Sequence, residues 1–175
     1  PMKDRKLRTF KNGHGGSGTS LKASYKDYKG LVGRKDEVCS LPGMSGNDFM
    51  FMNIFPTLTI IARGTAIRID NIIPLTPHTS LLEMRGLGVL NETKKDRKIR
   101  QRHHNQYWGP FGRNVPEDII AAQSCAESFR GKAGKYQIIS RDENGSGQDD
   151  LILREFYSEW ALQLGIDPGV VGNDE

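Results

Sequence analysis

Between Phe49 and Asn91 four apolar segments, FMFMNIF, LTIIARG, AIRIDNIIPL and SLLEMRGLGVL, follow one another with breaks of only a few residues. Each is rich in β-branched or aromatic side chains and is bounded by Pro, Gly or Thr-Pro, the pattern of short strands. Parallel neighbours need a crossover of a dozen or more residues, so breaks this short predict antiparallel pairing and disfavour a doubly wound parallel sheet. Within AIRID the residues alternate, with Ile67 and Ile69 on one face, which predicts a sheet with one wet side.

After Asn91 the periodicity changes to helical. Helices are expected over about Glu92 to Tyr107, Val115 to Phe129 and Asp150 to Leu164. The last should bury Leu153, Phe156, Tyr157, Trp160 and Leu164 as core. YQIIS reads as a strand or irregular piece, and the glycine-rich stretches NGHGGSGTS and ENGSGQDD read as turns. The N-terminal 48 residues show only weak periodicity. Strands followed by helices give an α+β class, an antiparallel β-sheet flanked by helices.

A chain of 175 residues fits one domain, but a hydrophobic fraction of 36% is low for a free-standing globule. This predicts that part of the fold lies outside the sequence. No apolar run approaches bilayer length and no apolar region follows the N-terminal charges, so neither membrane insertion nor secretion is expected. Two cysteines, Cys39 and Cys125, give neither a disulfide framework nor a zinc site, and the expected compartment is the cytoplasm. The net charge of +4 is concentrated in KDRKLR and KKDRKIRQRHH. In the second run Ile99, His103 and Tyr107 repeat at helical spacing, so the basic residues fill solvated faces, and no aromatic interleaving supports nucleic-acid binding.

The segment NVPEDIIAAQSCAESF carries two adjacent acids at a helix start, with Asn114 as N-cap ahead of Pro116. On a helix Asp118 shares a face with Ala122, Cys125 and Phe129, whereas Glu117 aligns with Ala121, Ser124 and Ser128. Asp118 is therefore expected to face inward and Glu117 to remain solvated. First-turn acids also stabilise a helix through its dipole, by a few tenths to about 1 kcal/mol, with no function implied. A buried anion, in contrast, needs a cation, and a metal ion is one that offsets the desolvation.

The order NIFPTLTII, IRIDNIIPLTPHTSLLEMRGL, a charged helix ending NQYWGPFG, and PEDIIAAQSC resembles the catalytic domain of the large (α) subunit of Rieske-type ring-hydroxylating oxygenases. The likeness covers roughly residues 45 to 165 and is nearest to the benzoate and toluate branch or to the methanesulfonate monooxygenase α subunit. It implies a helix-grip (START-like) catalytic domain, incomplete at its N-terminal side. Residues 1–175 would be its C-terminal portion, without the Rieske domain. In that family a mononuclear Fe(II) is held by two His and one Asp. The resemblance makes Asp118 the catalytic iron ligand and leaves Glu117 out.

None of His14, His78, His103 and His104 forms the closely spaced pair that the family uses. His103 and His104 diverge by about 100° on a helix and are expected to be ordinary helix residues, with His14 and His78 at loops or strand ends. The remaining ligands would come from the rest of the α subunit. The resemblance further implies a Rieske 2Fe–2S cluster there, and NAD(P)H used through a separate reductase or ferredoxin. It also implies an α3 or α3β3 assembly with a β subunit. Trp108, Phe111 and Asn114, and less strongly Phe51 and Asn53, are the candidates for a substrate pocket. Arg63, Arg68 or Arg85 would serve an anionic substrate, although strand arginines more often face solvent. The alternatives are a metal-free helix-grip domain binding an apolar ligand, in which Asp118 pairs with Arg or Lys, and a basic nucleic-acid module.

Overall fold

The computed structural model describes residues 2–21, 38–131, 139–141 and 149–167. Six strands follow in chain order, β1 (Met2–Phe10), β2 (His14–Leu21), β3 (Asp48–Ile54), β4 (Leu58–Arg63), β5 (Ala66–Thr76) and β6 (Thr79–Leu87). Three helices come after them, α1 (Lys94–Trp108), α2 (Val115–Arg130) and α3 (Leu151–Gln163). Every strand pairs antiparallel with its sequence neighbour, so the sheet is a meander in the order β1-β2-β3-β4-β5-β6. The α+β expectation holds, and β3 to β6 and all three helices lie where the periodicity placed them. Most of YQIIS and of ENGSGQDD falls outside the described residues.

The β1–β2 hairpin is the element that the weak N-terminal periodicity conceals. Its turn uses Asn12 and Gly13 at φ 63° and 73°, the left-handed region that these two residue types enter at least cost. NGHGGSGTS is thus half turn and half strand. Its glycines are there for packing: a Cβ on Gly15 would stand 2.6 Å from Ile152 Cγ2, and one on Gly13 2.8 Å from Glu159 Cβ. Helix α3 therefore lies directly on a strand stripped of side chains. The contact is extended by the Phe55 and Phe156 rings, 5.2 Å apart.

This docking rotates α3 relative to the expected stripe. Ile152 and Ala161 are buried and Phe156 and Tyr157 half-buried, but Leu153, Trp160 and Leu164 are exposed. The physical reason is the smooth glycine surface, which accepts the side of the helix carrying Ile152 and Glu159. Five aromatic and leucine residues at helical spacing marked an apolar face without showing which part of it this sheet covers.

Helix α1 opens with Thr93, whose hydroxyl accepts a hydrogen bond from the Asp96 amide at 3.1 Å. Its inner side carries Ile99, Arg100, His103, Tyr107 and Trp108. Arg100 is buried. Nε meets Glu92 Oε1 at 2.7 Å, and Nη1 donates to the carbonyls of Cys39 and Thr65. The remaining basic residues of that run, Lys94, Lys95, Arg97, Lys98 and Arg102, are exposed, the solvated face expected of an amphipathic helix. No helix among the described residues is long and apolar enough to cross a membrane.

Besides the outer side of α3, two further regions keep apolar side chains in solvent. Strands β5 and β6 run past the last β4 pair, Leu58 with Asn71, as a two-stranded arm carrying exposed Ile72, Leu75, Leu81 and Leu82. Helix α2 is exposed from Glu117 to Arg130, including Ile119, Ile120 and Phe129.

Candidate functional site

The register places two rows of side chains on one face of the sheet. One row is Leu7, Ser17, Phe51, Ile61, Arg68 and Gly86; the other is Thr9, Gly15, Asn53, Thr59, Asp70 and Met84. Directly opposed residues of antiparallel strands share a face, as do residues two apart along a strand. Helix α3 covers the Gly15 end of this surface and α1 the Gly86 end, where a Cβ would stand 2.8 Å from His104 Nε2. The floor between the helices is thus Phe51, Asn53, Ile61, Arg68 and Asp70.

Alternation in AIRID correctly separated two faces, but the inward one is the polar one. Arg68 is 6% exposed and Asp70 7%, whereas Ile67 and Ile69 are only half-buried. The reason is that the two ions satisfy one another in part, with Arg68 Nη2 2.7 Å from Asp70 Oδ2. The guanidinium also lies over the Trp108 ring, 5.2 Å from its centroid. Arg63 approaches the same ring at 5.3 Å and that of Tyr107 at 5.0 Å. Each such contact contributes roughly 0.5–2 kcal/mol, depending on desolvation. Arg85 faces solvent and pairs with Glu83 at 2.7 Å. The general expectation that strand arginines face water holds for Arg85 and fails for Arg68.

Burial pushes the Asp70 carboxyl above the usual carboxylate range; Arg68 and His104 oppose the shift, and the charge of Asp118 adds to it. His104 packs edge-on to Trp108, with ring centroids 5.4 Å apart. Burial holds its imidazole below the ordinary range; a hydrogen bond with Asn105 opposes this, Arg68 reinforces it and Asp70 opposes it. In the unfolded chain the ring takes up a proton near its ordinary value of about 6.5. Below that pH the unfolded state binds more protons, so stability is complete above it and falls as pH drops toward the lower folded value. His104→Gln should lose less stability than the parent between about pH 7 and about pH 5, read as the shift in urea midpoint. Identical losses would show that another group sets the acid limb.

The predicted site residues are divided by the fold. Trp108 is buried against Arg68, and Phe51 and Asn53 lie on the same sheet face. Asn114 is partly buried in the connection from α1 to α2, with no side-chain cap bond, and Phe111 in that connection is 100% exposed. Asp118, expected to turn inward with Ala122, Cys125 and Phe129, is exposed together with all three. An amphipathic pattern says which face a partner surface would cover, and among the described residues no element supplies that surface to α2. Asp118 makes no ion pair among the described residues, unlike the clamped carboxylate of the metal-free alternative. His103 bonds through Nε2 to Thr65 Oγ1 at 3.0 Å, His14 begins β2 and His78 sits in the β5–β6 turn. Among the described residues no group of three or more His, Cys, Asp or Glu comes together to hold a metal ion, so they do not build a metal site by themselves. The feature that sequence reasoning missed is the buried Arg68–Asp70 pair, and its only signal was strict alternation.

No family model matches the chain. It is 40% identical over 156 residues to the 2-aminobenzenesulfonate 2,3-dioxygenase subunit alpha of an Alcaligenes species, a match covering 89% of this chain and 39% of that protein. It is 35% identical over 165 residues to the methanesulfonate monooxygenase hydroxylase subunit alpha of Methylosulfonomonas methylovora, covering 94% of this chain and 39% of that protein. The chain thus spans well under half the length of these relatives.

Proposed function

Because this chain is homologous over 89% to 94% of its length to α subunits of Rieske-type oxygenases, we propose that it is part of the catalytic domain of such a subunit. The activity is hydroxylation of an organic substrate, an aromatic ring or an alkanesulfonate, with dioxygen. The similarity extending through nearly all of this chain is the observation that carries the reading. In it residues 1–175 are the C-terminal portion of the catalytic domain. A mononuclear Fe(II) supplies the oxygen-activating chemistry when bound, and electrons come from NAD(P)H through a reductase or ferredoxin and a Rieske 2Fe–2S cluster in the rest of the subunit. The protein works in the cytoplasm as an α3 or α3β3 assembly.

Within this proposal Asp118 gives the metal one carboxylate, and the nitrogen donors belong to polypeptide outside the matched stretch. Its exposure fits a helix whose partner surface is that polypeptide. The charge that Asp118 exerts on Asp70 supports its lying beside the floor formed by Arg68, Phe51 and Asn53. Trp108 walls that floor on the α1 side, and Asn114 and the exposed Phe111 belong to the connection that leads from it to the helix of Asp118. The test is reductant-dependent oxygen uptake by the complete α subunit assembled with its redox partner. Uptake that needs both NAD(P)H and an organic substrate is expected; an assembly with no such uptake would sink the proposal.

A further inference from the structure

We infer that Arg68 is the anion-recognition residue of the site, its guanidinium receiving the sulfonate group of an organic sulfonate whose carbon part lies along Trp108 toward Asp118. This rests on the oxygenase reading above for what happens to the substrate, but the recognition itself stands on the geometry. Arg68 is among the most buried charged residues described, and only one of its three nitrogens has an ionic partner, Nη2 on Asp70 Oδ2. Nε and Nη1 are buried with no hydrogen-bond acceptor among the described residues, and Asp70 Oδ1 is likewise unmatched. A purely structural buried pair saturates its donors, because each buried polar group left unmatched costs about 1–3 kcal/mol and charged groups cost more. An arginine fixed on one edge by a carboxylate, with further donors free and its flat face on an indole, is instead preorganised for an oxyanion.

The ligand class follows from chemistry. The two similar proteins are named for 2-aminobenzenesulfonate and methanesulfonate, an arene and a one-carbon alkane that share only the sulfonate. That group offers three equivalent acceptor oxygens around a permanent negative charge, matching the free donors of Arg68. Asp70 holds the guanidinium in place through its 2.7 Å contact with Nη2. Arg63, 5.3 Å from the centroid of the same Trp108 ring and 5.0 Å from that of Tyr107, adds positive potential.

The test uses the complete α subunit in its assembly and two readouts. The first is equilibrium binding of 2-aminobenzenesulfonate and of its uncharged isostere 2-aminobenzenesulfonamide, which needs no turnover. The parent is expected to prefer the sulfonate. In Arg68→Gln combined with Asp70→Asn, an uncharged pair that strands no buried ion, sulfonate affinity should fall about a hundredfold while sulfonamide binding changes little. Arg68→Lys should restore part of the loss. A parent that binds both compounds equally, or a double variant that keeps the parent's preference, overturns the inference. A parent without that preference overturns the inference even if the variants do not fold. The second readout, oxygen uptake with the sulfonate, separates the two claims: binding without uptake in the parent counts against the oxygenase reading and leaves the role of Arg68 standing.

Discussion

On the proposed oxygenase reading, replacing Asp118 by alanine in the complete α subunit is expected to weaken mononuclear iron binding more than about a hundredfold and to abolish turnover, while Glu117→Ala leaves both near the parent. The magnitude follows from metal sites in which loss of even an outer-shell partner costs about 10–100-fold, so loss of a direct carboxylate donor costs more. The two residues are neighbours in the first turn of α2 and are both exposed. As dipole partners they would be interchangeable, each contributing a few tenths to about 1 kcal/mol of helix stability. Metal analysis of the purified assembly, with the iron of the cluster counted separately by its absorption, distinguishes the cases. Equal iron loss from both variants, or from neither, would remove Asp118 from its proposed position.

The second large effect is structural. Arg100→Met should destabilise the fold by about 3–5 kcal/mol, because it strands Glu92 as a buried, uncompensated anion. The side chains of the pair are only 6% and 5% exposed. Arg100 also satisfies the Cys39 and Thr65 carbonyls, fastening the loop before β3 and the β4–β5 turn to α1. Pairing Arg100→Met with Glu92→Leu should recover only part of the loss, since two carbonyls still lose their donor. Urea denaturation of the four proteins in the cycle measures this. A double variant no more stable than the single one would mean that the carbonyl bonds, not the ion pair, carry the effect.

These cases show where sequence patterns are sufficient. The strands β3 to β6 were legible because period-two runs alternate with breaks too short for helices, and α1 to α3 because helical spacing runs through each of them. The β1–β2 hairpin was not, since Gly13 and Gly15 erase the side-chain signal in order to admit α3. Alternation in AIRID defined two faces but not their polarity, because hydropathy assigns ions to water and Arg68 and Asp70 compensate each other inside. For Asp118 the helical face was readable, while the surface that would cover it belongs to no described element. Trp108, Phe51 and Asn53 were candidates by position alone, and the shared sheet face that unites Phe51 and Asn53 appears only once the register is known.

The uninterrupted meander also bears on how such a chain acquires its shape. Apart from β2 and β3, which residues 22–47 separate, each strand finds its partner in the segment made just before it, so most of the sheet can grow hairpin by hairpin with little loop entropy to overcome. The costly closure is the return of α3 from far along the sequence to the glycines of β2. Until that late event the hairpin it covers stands bare, an interval during synthesis in which misassembly competes with completion.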